Sequence, residues 1–259
     1  MREPRAVLLD LWHTLVYLEP AEEERYMADQ LETMARVFEQ WPPSPRGRHP
    51  PTHDPRQAAE EVRAEVVTAA RGGVSIPLAT QALHGARRLG RAVRPLEYSQ
   101  ALAALVERTP FRPCPGVPET LATLRDREYR LGVVSNALGE PGESLQQQLD
   151  RAGIGSYIEA WAFSDQLPWT KPAPEIFWHC LGMLGTRRER ALHVGDGWAD
   201  IVGARAAGLR AGILYTGEQR YGATYGRLLN PPRSESPDAE FRIDRFGELT
   251  DLADRLLPD

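Results

Sequence analysis

The sequence lacks a set of paired cysteines, an excess of basic residues and long apolar runs, and each shortage excludes a class of protein. Two cysteines among 259 residues are too few for a disulfide framework and favour a reducing, cytoplasmic setting. Lysine and arginine total 31 against 36 acidic residues, so we expect no nucleic-acid partner, which would require a basic surface. No apolar run approaches the ~18 residues of a membrane span, and Asp10 interrupts the first run, unlike a signal peptide. We expect a cytoplasmic globular protein, a monomer or homodimer, with no membrane contact.

Short apolar segments that alternate with helical patterns predict an α/β fold with a parallel sheet. Five segments are typical of buried strands: residues 6–10, 131–135, 160–164, 191–195 and 211–216. Apolar residues at helical spacing, such as Leu145 with Leu149 and Phe177 with Leu181, predict amphipathic helices between the later strands. The sequence therefore predicts one sheet whose strands are joined by helices.

The alternation stops after the first strand, where about ninety residues are largely helical in pattern. Apolar residues recur there at steps of four and three, at Met27, Leu31, Met34, Phe38 and Trp41 and again at Ala58, Val62, Val66 and Ala69. We predict an all-helical cap domain, residues 18–109, inserted into a core formed by residues 1–17 and 110–259. Six prolines within residues 42–55 predict an extended loop inside this insertion, and polar residues 216–237 predict a second loop.

Polar residues stand at or after the ends of four predicted strands. They are Asp10, Ser135 with Asn136, Lys171, and Asp196 with Asp200. Because the crevice outside the carboxyl ends of the strands is the usual binding site of an open α/β sheet, we expect these side chains to converge there. A single polar residue at a strand end would be weak evidence, but polar residues at four successive strand ends indicate a binding site.

These residues give the chain a resemblance to the haloacid dehalogenase-like (HAD) hydrolase superfamily, in its subgroup with a helical cap. The four motifs occur in the family's order: the segment Asp10-Leu11-Trp12-His13-Thr14-Leu15, then Ser135, then Lys171, then Asp196 and Asp200 after Val-Gly. The segment 201–208, IVGARAAG, is also typical of that subgroup. The resemblance covers nearly the whole chain and implies a doubly wound, Rossmann-like core with an inserted helical cap.

The resemblance implies a phosphatase in which Asp10 attacks phosphorus and forms an aspartyl phosphate. Because a carboxylate and a phosphoryl group repel each other, a cation has to lie between them. Asp10, Asp196 and the backbone carbonyl of Trp12 would hold Mg²⁺ through oxygen ligands. Asp200 would orient the waters of the ion or the nearby lysine.

The same resemblance implies four further roles in binding a small phosphorylated substrate. Lys171 would neutralise charge on the phosphoryl oxygens, and Ser135 with the backbone amide of Asn136 would donate hydrogen bonds to them. Thr14 would position Asp10 and the turn that follows it.

The chain departs from the family's phosphatases at Trp12, where they carry a second aspartate that protonates the leaving group. Indole cannot transfer a proton at neutral pH, and losing a general acid costs roughly 10²- to 10⁴-fold with strongly basic leaving groups. A substrate with a good leaving group would not need this acid. His13 is the local candidate for a substitute acid, because its ordinary pKa of about 6.5 suits the task; otherwise we expect it to face solvent in a turn.

Two other functions stay open. The family's dehalogenases also carry an aromatic residue at the position of Trp12 and need no metal, so a metal-independent 2-haloacid dehalogenase-type hydrolase is one alternative. Their fourth motif lacks the acidic pair that Asp196 and Asp200 form here, and this favours metal and phosphate. A catalytically weakened domain that binds a ligand or a protein partner is the other alternative.

Overall fold

A computed structural model of the chain describes residues 3–45, 53–217 and 239–258. The strands within these residues are β1 Arg5–Leu9, β2 Val16–Tyr17, β3 Arg112–Pro113, β4 Tyr129–Ser135, β5 Ala160–Phe163, β6 Ala191–Gly195, β7 Ala211–Tyr215 and β8 Phe241–Ile243. The α-helices are α1 Pro20–Gln40, α2 Pro55–Arg71, α3 Leu78–Arg88, α4 Pro95–Arg108, α5 Val117–Asp126, α6 Gly142–Arg151, α7 Pro174–Leu184, α8 Trp198–Ala207 and α9 Glu248–Leu256. Parts of the two loops predicted at 42–55 and 216–237 lie outside the described residues.

Six parallel strands form the central sheet, in the order β5-β4-β1-β6-β7-β8. The five strands predicted from the sequence are β1, β4, β5, β6 and β7, and their ends differ from the predicted ends by at most two residues. The first strand occupies a central position between β4 and β6. Residues 10, 136 and 196, which directly follow these three strands, therefore lie side by side at one edge of the sheet.

Side chains of successive strand residues point to opposite faces of the sheet. In β1, Val7 and Leu9 pack into the apolar cluster that α5, α6 and α9 share, whereas Ala6 and Leu8 pack into the cluster formed with α7. Helices therefore cover both faces, and the predicted doubly wound α/β fold is confirmed.

Helices α1–α4 form a four-helix unit between β2 and β3, a short antiparallel pair. The predicted apolar stripe of α1 is buried, and its members from Leu31 to Trp41 pack into a cluster that belongs to this unit. Phe38 of α1 stacks on Tyr98 of α4 with ring centroids 5.4 Å apart. In α2 the prediction is one residue off, because Ala70 rather than Ala69 is buried. The unit thus has an apolar core of its own.

Prolines begin three of these four helices, Pro20 in α1, Pro55 in α2 and Pro95 in α4. Proline suits this position because the first amide of a helix has no partner within the helix and the ring fixes a helical φ. Asp54 caps α2 by accepting a hydrogen bond from the Gln57 amide at 2.8 Å. Within the part of the chain that the structure describes, no helix is long and apolar enough to cross a membrane.

Candidate active site

Lys171 lies at the centre of a polar cluster at the carboxyl edge of the sheet. Its ammonium group donates hydrogen bonds to Asp10 Oδ1 and, at 2.7 Å, to Asp200 Oδ1. All three side chains are buried. Burial alone would lower the pKa of Lys171, but the charges of the two aspartates outweigh it and the pKa is raised. The three residues come from β1, the segment before α7, and α8, so the sheet brings together groups that are far apart in sequence.

Three carboxylates crowd at this point, and one ammonium group does not balance their charge. One oxygen from each of Asp10, Asp196 and Asp200 lies within 4.8 Å of the others. Burial raises the pKa of Asp10 to about 7, and the two other aspartates add to this while Lys171 opposes it. Burial also raises the pKa of Asp196 to about 6. A divalent cation would relieve this repulsion, and carboxylate oxygens are the ligands that Mg²⁺ prefers.

Asp200 is held as the ionised member of the cluster. Burial alone would raise its pKa, but Lys171 and His193 lower it far below its usual range. The His193 ring nitrogen Nε2 lies 2.8 Å from Asp200 Oδ1, and the Gly197 amide donates to Oδ2 at 3.0 Å. A Cβ on Gly195 would lie 2.1 Å from the Asp200 carboxyl carbon. Only glycine at the end of β6 therefore lets this carboxylate approach the sheet.

Two buried hydroxyl groups of the predicted site have no hydrogen-bond partner among the described residues. They are Ser135 Oγ at the end of β4 and Thr14 Oγ1 in the turn after β1. A buried polar group without a partner costs about 1–3 kcal/mol, and a ligand oxygen beside Ser135 would remove that cost. Thr14 makes no hydrogen bond to Asp10, so its predicted positioning role stays a prediction.

The side chain of Asn136 makes contacts that the sequence analysis did not predict. Its side-chain Oδ1 accepts a hydrogen bond from the Lys171 amide at 2.8 Å, and its Nδ2 donates to the Lys171 carbonyl at 3.0 Å. The side chain therefore fixes the backbone of Lys171 across the gap between β4 and the segment before α7. The role inferred from the resemblance concerned only the backbone amide of Asn136.

Trp12 fills the space between the sheet and helix α1. Its side chain is buried and packs edge-on against Phe111, with ring centroids 4.9 Å apart, and its ring lies 5.8 Å from that of Tyr26. Trp12, two residues after Asp10, is thus part of an apolar contact. Its indole offers no acid to a leaving group.

His13 is buried, so the expectation that it faces solvent is wrong. It adopts a left-handed backbone conformation with φ of 57°, and its Nε2 lies 3.4 Å from Glu23 Oε1 in α1. Burial alone would lower the pKa of His13, but Glu23, Asp196 and Asp10 outweigh it, and the pKa is raised. His13 therefore forms a polar contact between the turn after β1 and the four-helix unit.

Two buried acidic residues beside the site escaped sequence analysis. Glu23 stands four residues before Met27 on the apolar stripe of α1, and a charged residue in that stripe was the available signal. Glu140 follows β4 and is fully buried; its Oε1 accepts from Tyr26 and from Gln30, each at 3.2 Å. No local pattern marks Glu140, since its partners in α1 are more than a hundred residues away.

The fold and the polar cluster define a class of α/β hydrolases in which aspartates at strand ends face a lysine. A family model described as haloacid dehalogenase-like hydrolase matches residues 4–208. The chain belongs to this family of hydrolases.

Two curated relatives carry the names of phosphatases. Phosphoglycolate phosphatase of Haemophilus influenzae is 35% identical over 136 residues, which are 52% of this chain and 54% of that protein. Glyceraldehyde 3-phosphate phosphatase of Methanopyrus kandleri is 31% identical over 177 residues, 67% of this chain and 71% of that protein. The chain thus matches about half the length of the first relative and a larger part of the second.

Solved structures support the fold over nearly the whole chain. A HAD phosphatase from Thermococcus onnurineus aligns with a TM-score of 0.60 at 21% identity, covering 96% of this chain and 97% of that one. A predicted phosphoglycolate phosphatase from Haemophilus somnus gives a TM-score of 0.58 at 21% identity, covering 97% and 99%. At these identities the likeness shows a common fold.

Proposed function

We propose that the protein is a Mg²⁺-dependent phosphatase that hydrolyses a small phosphorylated metabolite through an aspartyl phosphate on Asp10. The observation that carries this proposal is the cluster in which the buried side chains of Asp10 and Lys171 meet beside the half-buried Asp196. The unpartnered hydroxyl of Ser135, one strand away, supports it because a phosphoryl oxygen would be its natural partner. The names of the two relatives support the same reaction class.

The residues of the cluster fit a magnesium ion. Asp10 and Asp196 have pKa values raised by burial and by neighbouring carboxylates, chief among them Asp200, so a bound cation would stabilise both in the ionised form. With the Trp12 carbonyl they would hold the ion, while Asp200 would orient Lys171, to which it is hydrogen-bonded. When bound, the ion would neutralise carboxylate and phosphoryl charge so that the two can approach.

Each side chain of the site has its own role in the proposed reaction. An oxygen of Asp10 forms a bond to phosphorus as the bond between phosphorus and the leaving-group oxygen breaks. Lys171 and Ser135 donate hydrogen bonds to the phosphoryl oxygens as charge redistributes over them. Asn136 holds the Lys171 backbone in place. Attack of water on phosphorus then releases phosphate and restores the carboxylate.

We propose that the four-helix unit acts as a cap, residues 18–109, over a core of residues 1–17 and 110–259. Polar contacts join the two at the site. Gln81 Nε2 of α3 donates to the Leu138 carbonyl at 2.9 Å, and the Thr170 amide donates to the Gly73 carbonyl at 3.1 Å. With Asp10 and Lys171 buried in this arrangement, the cap would exclude bulk water during transfer to Asp10.

Trp12 restricts the substrates that such a phosphatase can use. Because no carboxylic acid stands at position 12, the leaving group has to depart with little protonation. Acyl phosphates, phosphoanhydrides and aryl phosphates meet this condition better than simple alkyl phosphates. The hypothesis that His13 supplies a proton stays a prediction.

The test is hydrolysis of phenyl phosphate with Mg²⁺ and with EDTA, by the wild type, Asp10→Asn and a control, Asp126→Asn. Asp126 lies exposed at the end of α5, so its substitution removes a carboxylate without touching the site. We expect Mg²⁺-dependent release of phosphate by the wild type and the control, and a loss of at least 10³-fold in Asp10→Asn.

Three outcomes would contradict the proposal. Equal phosphate release by Asp10→Asn and the wild type would exclude the aspartyl phosphate. Halide release from 2-chloropropionate in EDTA, without phosphate release from phenyl phosphate, would favour the dehalogenase-type reaction. Binding of phosphorylated compounds without turnover of either substrate would favour a ligand-binding domain.

A further inference from the structure

His193 is a polar residue in the core behind the candidate active site. It lies in the middle of β6, paired with Leu8 of β1, and its side chain is fully buried. Leu8 packs into the apolar cluster formed with α7, and the His193 ring meets that of Phe177 in α7 edge to face, with centroids 4.9 Å apart. An apolar side chain could fill such a position without the cost of burying polar atoms. The imidazole ring therefore needs an explanation beyond packing.

The contact between His193 and Asp200 supplies that explanation. The Nε2 atom lies 2.8 Å from Asp200 Oδ1, whereas Nδ1 has no hydrogen-bond partner among the described residues. Because an ionised carboxylate only accepts hydrogen bonds, the contact requires a ring proton on Nε2. The tautomer with its proton there also leaves no buried N–H group without an acceptor. His193 thus donates a hydrogen bond to Asp200.

Asp200 connects His193 to Lys171. Its Oδ1 accepts from Lys171 Nζ at 2.7 Å as well as from His193, and its Oδ2 accepts from the Gly197 amide at 3.0 Å. The three donors come from the segment before α7, from β6 and from the residue that precedes α8. Without His193, the Gly197 amide is the one described donor besides Lys171 that holds this carboxylate. Its orientation toward Lys171 would then be less well fixed.

Two carboxylates share the ammonium group of Lys171 before substrate binds. It donates to Asp10 as well as to Asp200, but in the proposed reaction Asp10 forms a bond to phosphorus. Lys171 then needs a partner that stays in place while it donates to the phosphoryl oxygens. Asp200 is that partner, and it serves only if its own position is fixed.

From this arrangement we infer that His193 is a positioning residue for the proposed phosphatase reaction, on which the inference rests. Its Nε2–H group fixes the carboxylate of Asp200, and Asp200 in turn holds the ammonium group of Lys171 against the phosphoryl group. His193 contacts neither the substrate nor the metal ion in this assignment. The site thus extends from the edge of the sheet into the apolar core behind it.

The test replaces His193 by two side chains of about the same length, one with a donor and one without. His193→Gln can bring an amide N–H group close to the place of Nε2, whereas His193→Met has no donor. Both variants lose the ring contact with Phe177, so a difference between them reports the hydrogen bond. With phenyl phosphate and Mg²⁺, we expect kcat/KM to fall about 10- to 100-fold in His193→Met, the usual range for the outer partners of a site. His193→Gln should recover most of this loss.

A second measurement separates positioning from a purely structural role. Because Lys171 would donate to phosphoryl oxygens, inorganic phosphate binding with Mg²⁺, followed by calorimetry, reports its position without turnover. In His193→Met we expect both KM and the dissociation constant of phosphate to rise. A purely structural role would reduce the folded fraction and with it the apparent kcat, while KM and the phosphate affinity of the folded protein stayed the same.

Phe177→Leu is the packing control, because it removes the ring contact and keeps the His193 donor. It should keep the wild-type KM and phosphate affinity, and assays run well below the unfolding midpoint of every variant exclude loss of folded protein. Equal kcat/KM in His193→Met and the wild type, equal losses in His193→Met and His193→Gln, or a loss in kcat alone would overturn this inference while leaving the phosphatase proposal intact. Failure of the wild type to release phosphate with Mg²⁺ would overturn the proposed function itself.

Discussion

The raised pKa of Asp10 predicts that removing the negative charge of this side chain stabilises the metal-free protein at neutral and alkaline pH. The pKa of this carboxyl group is about 7 in the folded chain against an ordinary value of 3.8, chiefly because of burial. The folded state therefore binds a proton more tightly than the unfolded state, and stability is lost as pH rises from about 4 toward 7. Asp10→Asn has the same shape, carries no charge to desolvate, and leaves Lys171 its bond to Asp200.

The size of the effect follows from the two pKa values. Integrating the linkage relation gives a stability advantage of Asp10→Asn over the wild type of about 2 kcal/mol at pH 5 and about 4 kcal/mol at pH 8. For a chain of this length 4 kcal/mol corresponds to roughly 8–16 °C in the unfolding midpoint. Mg²⁺ should stabilise the wild type at pH 8 more than the variant, because it offsets the charge that the variant lacks.

The assay is thermal and urea unfolding of both proteins in EDTA and in Mg²⁺ at pH 5 and pH 8. Circular dichroism follows the transition, and phosphate release from phenyl phosphate confirms that the variant is inactive. A variant that is less stable than the wild type at pH 8 in EDTA would refute the reasoning, as would a difference in stability that does not grow with pH.

Three further predictions concern the neighbours of Asp10. Ser135→Ala should raise the unfolding free energy by about 1–3 kcal/mol, because it removes a buried hydroxyl that has no partner, yet lower kcat/KM for phenyl phosphate about 10- to 100-fold; a loss of stability beside the loss of activity would contradict this. His193→Leu should cost about 1–3 kcal/mol in urea unfolding, because Asp200 loses a buried hydrogen bond, and Phe177→Leu on the same His193 ring separates this from lost packing. Trp12→Ala should cost about 3–5 kcal/mol through the cavity left beside Phe111 and Tyr26, without improving hydrolysis of alkyl phosphates over aryl phosphates.

Local sequence patterns predicted five strands of the sheet because each strand pattern is complete within five or six residues. Apolar runs at 6–10 and 191–195 need no partner to be recognised, and the rule that parallel strands present their carboxyl ends at one edge placed Asp10 beside Asp196. The order of the motifs then selected the family. Lys171 contacts both Asp10 and Asp200 because all three residues lie at this same edge of the sheet.

The contacts between the four-helix unit and the core could not be predicted in this way. Glu23 beside His13, and Tyr26 beside Glu140, depend on the angle at which α1 crosses the sheet, and no single segment encodes that angle. His13 was expected to face solvent because turn residues usually do, and only tertiary packing decided otherwise.

The buried surroundings of Trp12 connect the fold to the choice of substrate. The resemblance to the family's phosphatases implies an acid at the position of Trp12; here the Trp12 ring packs against Phe111 and against Tyr26 of α1. The indole of Trp12 occupies this position, so the apolar contact stands where a carboxyl group would be needed to protonate a leaving group. Trp12 thus stabilises the contact between the sheet and the four-helix unit, and under the proposed function the leaving group has to depart as a stable anion.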